Sequence, residues 1–131
     1  MRVVFDTNIL ISALLFPGGQ GQQALGRILE GRDQLLISKP ILYELLEMLG
    51  RKFSRDREEL SRVAIFLGDL GKMIQPRSTI HVLEDEADNR ILECAVAGQA
   101  DIIVTRDRAM LKHQDYQQIK IISLKSYLVG A

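Results

Sequence analysis

One cysteine, three prolines, no tryptophan and 5% aromatic residues are all that 131 positions hold of these types. A lone cysteine, Cys94, excludes an internal disulfide framework and a cysteine-built zinc cluster, and its simplest place is as a small buried apolar side chain. So few aromatics argue against nucleic-acid binding dominated by base stacking. Net charge is missing as well. Seventeen Lys and Arg balance seventeen Asp and Glu, so no global basic field draws in polyanions, although a local basic patch would. No apolar run is long enough to span a bilayer. Arg2 and the stretch Ile9 to Phe16 imitate a signal peptide, but Asp6 and Asn8 interrupt it and no convincing small-residue cleavage site follows. The expectation is a cytoplasmic protein with no membrane contact.

The chain has 47% hydrophobic and 26% charged residues, an ordinary balance for one globular domain spanning 1–131. Strand-like runs alternate with helix-like ones. Arg2 to Phe5 reads as a buried strand, and Asn8 to Phe16 as a helix stopped by Pro17-Gly18-Gly19. Ala24, Leu25, Ile28 and Leu29 have helical spacing. Leu35 to Ile37 is strand-like, and Ser38 with Pro40 opens a helix to about Gly50. Asp56 and Glu59 have capping-box spacing before Val63 to Leu70. Thr79 to Leu83 is a candidate strand, with Ile74 in it or in another. Then come a helix from Ala87 to Ala97, a strand Asp101 to Thr105, a short helix Ala109 to Lys112, a strand Ile119 to Ser123 and a turn to Leu128. This alternation predicts an α/β fold, a mainly parallel sheet between helix layers. There is no internal repeat, low-complexity tract or linker.

In open parallel sheets, ligands bind beyond the carboxyl ends of the strands. Asp6 follows the first strand directly, and Asp107 follows Thr105 by two residues. Glu44 lies early in the helix after Leu35 to Ile37, and Asp88 in the first turn of the helix beginning at Ala87. At 100° per residue Asp88 shares a face with Ile91, Leu92 and Ala95, the centre of an apolar stripe. Glu44 flanks its own stripe, near Ile41 and Met48. Each acid has a bland explanation. Asp6 would cap a helix, Glu44 would snorkel to solvent, Asp88 would favour a helix dipole, and Asp107 would occupy a turn. Four such coincidences on one rim are less economical than a shared site.

Converging carboxylates repel one another, and a divalent cation removes that penalty. Oxygen ligands without His or Cys select Mg²⁺ or Mn²⁺ over zinc. Such an ion activates water and stabilises charge at phosphorus, so the implied chemistry is phosphodiester hydrolysis.

Val4-Phe5-Asp6-Thr7-Asn8, Leu42-Tyr43-Glu44-Leu45, Asp88-Asn89-Arg90-Ile91-Leu92-Glu93 and Ala100-Asp101-Ile102-Ile103-Val104-Thr105-Arg106-Asp107 together resemble the PIN-domain nucleases in order and spacing. The resemblance covers essentially the whole chain. It implies a PIN-like three-layer α/β/α sandwich whose acids bind Mg²⁺ or Mn²⁺ and cleave RNA. Carried over by position, Asp6, Glu44, Asp88 and Asp107 form the acidic set, and Thr7, Asn8 and Thr105 hold carboxylates or waters. Stand-alone bacterial or archaeal members of this length are usually toxins paired with an antitoxin protein, and they often form homodimers. One departure is Ala109, where relatives often carry a further acid, which bears on an auxiliary metal contact and not on the core set. Asp101, at the opposite end of its strand, takes a structural role.

Arg106 and Arg108 flank Asp107 and are candidate phosphate contacts, with solvation or pairing to Asp115 or Glu84 as the alternative. Arg51, Lys52 and Arg55 are a candidate basic rim for RNA. Among rivals, a phosphoacceptor receiver domain would have adjacent acids after its first strand, where Thr7 and Asn8 stand here. A glycine-rich dinucleotide loop is missing after Phe5. His81 and His113 lie in no recognisable nucleophile context. The remaining alternative is a catalytically weak module of the same fold that binds RNA or protein.

Overall fold

The computed structural model describes residues 1–130. Its elements in chain order are β1 (Arg2–Phe5), α1 (Thr7–Leu15), α2 (Gln20–Leu29), β2 (Gln34–Ser38), α3 (Lys39–Phe53), α4 (Arg57–Leu70), β3 (Lys72–Ile74), α5 (Glu86–Ala97), β4 (Ile102–Thr105), α6 (Arg108–Leu111), β5 (Asp115–Tyr116), β6 (Ile119–Ser123) and α7 (Leu124–Gly130). The strands form one sheet in the order β3-β2-β1-β4-β6-β5. All neighbours run parallel except the short β5, which pairs antiparallel with β6.

Side chains on a strand point alternately to the two faces of the sheet. Val3, Val4 and Phe5 are nonetheless all within 1% of complete burial, as are Leu35, Leu36 and Ile37. Both faces of the sheet are therefore covered by helices, which is the expected three-layer arrangement. No described helix is long and apolar enough to cross a membrane. Cys94 is buried, as expected, and burial pushes its thiol up to about 12.

The strand order fixes where a crevice opens. From β1 the chain steps outward through β2 to β3, then crosses back to place β4 on the other side of β1. The loops leaving β1 and β4 thus diverge, and the gap between them lies beyond the carboxyl ends of the strands.

Local chemistry sets the helix starts. The Ser38 hydroxyl accepts from the Ile41 amide at 3.4 Å, with Pro40 in the first turn of α3. Asp56 accepts from the Glu59 amide at 2.9 Å. α3 continues past Gly50 to Phe53, and ends where Ser54 adopts a left-handed φ of 53°. The final turn is a full helix, α7, anchored by Tyr127. That ring meets Phe5 edge-on at 5.7 Å, and its hydroxyl donates to Asp33 at 2.6 Å.

One expected element is absent. Thr79 to Leu83 forms no strand, and the third strand is Lys72–Ile74. The amides of Ile80, Val82 and Leu83 donate to side chains of α5 and not to a neighbouring strand. Burial explains the misreading. Ile80 and Leu83 are 8% exposed while Val82 is 48% exposed, a pattern without the alternation of a half-buried strand.

Candidate active site

The carboxyl edge of the sheet holds a cavity of about 330 Å³. Asp6, Glu44, Asp88 and Asp107 all line it, together with Thr7 and Asn8. Four acids separated by as much as 101 positions in the sequence thus meet in one hollow. Three larger hollows, of about 630, 760 and 480 Å³, open elsewhere around Asp101, Lys72 and Asp33, and none gathers carboxyl groups.

Asp6 is 5% exposed and occupies the N-cap of α1, where its Oδ1 accepts from the Ile9 amide at 3.1 Å. Its Oδ2 accepts from the hydroxyl of Thr105 at the end of β4. The same Thr105 Oγ1 accepts from the Asp107 amide at 2.9 Å. One buried hydroxyl therefore ties together two acid-bearing loops. Capping and site membership are not alternatives for Asp6, because the first fixes the carboxylate for the second. Burial holds the Asp6 carboxyl above its ordinary range, opposed by Thr105 and by the amides of Ile9, Asn8 and Arg106.

Asp88 stands on the face of α5 that also carries the buried Ile91, Leu92 and Ala95. Its carboxyl is pushed up to about 8, first by burial, then by Asp107 against it and by Asp85 and Asp6 nearby. Glu44 is raised too, by burial and then by Asp85, Asp6 and Glu47, with Lys52 opposing. The common cause is negative charge crowded into a poorly solvated space. Asp107 caps α6, accepting from the Ala109 amide at 2.7 Å.

This donor set suits a hard divalent cation. The ligands are oxygens, the carboxyls burden one another, and Thr105 holds one of them from behind. Among the described residues, no group of three or more His, Cys, Asp or Glu is already arranged to hold a metal ion. A hard cation that keeps several waters needs only one or two of these carboxylates bound directly.

The sequence reading and the geometry diverge at several residues. Thr7 and Asn8 line the cavity, but among the described residues only Thr105 of the three expected supports bonds a carboxylate through its side chain. Arg106 and Arg108 are exposed and do not line it, and neither pairs with Asp115 or Glu84. Of the basic run, Arg51 and Lys52 line the cavity, whereas Arg55 pairs with Glu59 at 3.4 Å outside it. Glu44, Glu47, Met48, Arg51 and Lys52 are successive residues of one helical face of α3. Asp101 accepts from the Arg2 amide at 2.8 Å at the other end of β4, the structural role expected of it.

Sequence reasoning missed two acids of the lining, Glu47, which is paired with Arg51, and Asp85. Asp85 caps α5 through the Ala87 amide at 2.9 Å and lines the cavity beside Asp88. The available signal was its spacing of three from Asp88, which places a cap and a first-turn residue on the same end of a helix.

The chain is thus a mostly parallel α/β sheet with an acid-lined crevice at the switch between β1 and β4. Residues 2–109 match the PIN domain, and the chain belongs to the PIN-domain family. An uncharacterised protein of Methanocaldococcus jannaschii is 30% identical over 95% of this chain and 84% of its own length. Two solved structures share the fold. VapBC2 of Rickettsia felis, bound to a DNA fragment from its promoter, aligns with a TM-score of 0.65 at 20% identity, covering 94% of this chain and 98% of that one. VapBC-1 of nontypeable Haemophilus influenzae aligns with a TM-score of 0.64 at 18% identity, covering 95% and 99%.

Proposed function

We propose that this protein is a Mg²⁺- or Mn²⁺-dependent endoribonuclease, acting as the toxin of a toxin–antitoxin pair. The observation that carries the reading is the meeting of Asp6, Glu44, Asp88 and Asp107 in one cavity with their charges uncompensated by one another. Membership of the PIN-domain family supports it.

Asp6, Glu44, Asp88 and Asp107 are the residues that would hold the ion. When bound, the metal supplies Lewis acidity at phosphorus and an activated water. The chain does the rest. Thr105 fixes the orientation of Asp6 and ties it to the Asp107 loop, so two carboxylates keep their places as charge changes between them. Lys52, with Arg51 held by Glu47 at 2.5 Å, supplies positive charge on one wall of an otherwise acidic hollow. A backbone phosphate of RNA is held there while the scissile phosphate faces the acids. Base stacking has little part, as the cavity has no aromatic lining.

Two solved structures of the same fold are VapBC complexes, VapBC2 and VapBC-1, which supports an antitoxin protein as partner here. Ile65 and Phe66 on α4, 65% and 38% exposed, and Phe16 and Tyr43 give the surface apolar area that a partner or a second copy would cover.

The test is cleavage of a mixed-sequence RNA by the purified protein with Mn²⁺, with EDTA, and with Asp6→Asn. Cleavage confined to the natural sequence with Mn²⁺ is expected. Cation binding without cleavage of any RNA would transfer the protein to the binding-module reading.

A further inference from the structure

Helix α5 carries buried polar side chains that the acid at its start does not explain. Asn89 is 0% exposed and Glu93 is 7% exposed, one helical turn apart, and neither lines the acidic cavity. Both reach back to the segment that precedes the helix. Asn89 Oδ1 accepts from the amides of Val82 at 3.1 Å and Leu83 at 2.8 Å, while its Nδ2 donates to the Leu83 carbonyl at 2.8 Å. Glu93 Oε2 accepts from the Ile80 amide at 2.8 Å and pairs with Arg90 at 2.9 Å. Arg90 in turn donates to the Ile80 carbonyl at 3.2 Å and pairs with Glu86 at 3.2 Å.

The amides of Ile80, Val82 and Leu83 and the carbonyls of Ile80 and Leu83 are thus satisfied by one face of α5, where an ordinary chain would use a strand ladder. A buried carboxylate and a buried amide are costly unless bonded, and a ladder would need neither. What the side-chain clamp gives, and a ladder to β3 would not, is a fixed relation between this segment and α5 itself. Two residues beyond Leu83 the segment ends in Asp85, which lines the acidic cavity beside Asp88.

We propose that Asn89 and Glu93 are positioning residues for the acidic cavity: by clamping residues 80–83 to α5 they set where Asp85 stands relative to Asp88. The proposal rests on the metal-binding reading of that cavity. The consequence is that loosening the clamp weakens cation binding although no side chain of the clamp touches the cation.

The test is Mn²⁺ titration followed by the electron paramagnetic resonance signal of the free ion, a readout independent of RNA cleavage. Variants are Asn89→Ala, Glu93→Ala and Glu93→Gln, with Leu67→Ala as a core truncation outside the cavity lining, each measured where near-ultraviolet circular dichroism is native. The alanine variants at 89 and 93 are expected to bind Mn²⁺ about tenfold or more weakly. Glu93→Gln keeps an acceptor for the Ile80 amide and should recover most of the affinity, and Leu67→Ala should leave it unchanged. Should Asn89→Ala not fold, Asn89→Asp replaces it, keeping the acceptor but losing the donor to Leu83, with several-fold weakening expected. Equal Mn²⁺ affinity in the clamp variants, or an equal loss in Leu67→Ala, overturns the proposal. Absence of Mn²⁺ binding by the natural sequence overturns the metal reading itself, and is told apart from the first result by that control alone.

Discussion

The hydroxyl of Thr105, the last residue of β4, donates to the carboxylate of Asp6, the first residue after β1, across 99 positions of sequence. Both residues are buried. The bond joins the two loops that diverge at the switch point of the sheet, so the acids at Asp6 and Asp107 are placed by the sheet and not by flexible connections.

Thr105→Val removes that donor while keeping the side-chain shape. The Asp6 carboxylate is left short of a partner in a buried place, and the Asp107 amide loses its acceptor. A loss of about 1–3 kcal/mol in urea unfolding with EDTA present is expected. Thr105→Ser should lose much less, since it keeps the hydroxyl.

Stability should depend on pH through Asp88. Its folded-state value of about 8 lies above the ordinary 3.8, so the folded protein holds this proton where the unfolded chain releases it. The contribution is fully present below about pH 4 and is lost as pH rises through about 8. Without metal, the unfolding midpoint should fall across this interval. Asp88→Asn should flatten that part of the profile and unfold at a midpoint several degrees higher at pH 8. A profile unchanged by Asp88→Asn would contradict the crowding of carboxyls around it.

Asp6→Asn and Glu44→Gln should each lower Mn²⁺-dependent RNA cleavage by more than about 100-fold, because loss of a residue merely behind a metal ligand already costs 10–100-fold. Initial rates on a labelled RNA, with circular dichroism to confirm folding, check this. Rates near the natural value would remove that residue from the set.

Lys52→Ala should raise KM while leaving kcat nearly unchanged, and should lower the slope of log affinity against log salt by about one. Arg106→Ala and Arg108→Ala should change neither, since both side chains lie outside the cavity. The reverse ranking would place the RNA across α6 and away from α3.

Much of this arrangement is legible in the sequence because it follows from period and position. The continuous burial of Val3 to Phe5 and of Ile102 to Thr105 marks inner parallel strands, and an acid just past such a strand lies at its carboxyl end. Asp88 is legible because it interrupts an apolar stripe. Residues 80–83 are not, because their order comes from Asn89, Arg90 and Glu93 at distances that no local periodicity encodes. Asp85 is hidden for the same reason, and so is the choice between Arg106 and Lys52. Proximity in sequence to Asp107 favours the arginines, whereas the facing of α3 toward the cavity favours the lysine.

The most direct test of the central claim is thermal unfolding in EDTA and under increasing Mn²⁺, for the natural sequence and for Asp6→Asn. A cation bound to the folded state alone raises stability by about 2.7 kcal/mol at a hundred times its dissociation constant. A metal site built on Asp6 predicts a midpoint that climbs with Mn²⁺ in the natural sequence and climbs much less in Asp6→Asn. A midpoint indifferent to Mn²⁺ in the natural sequence would contradict it.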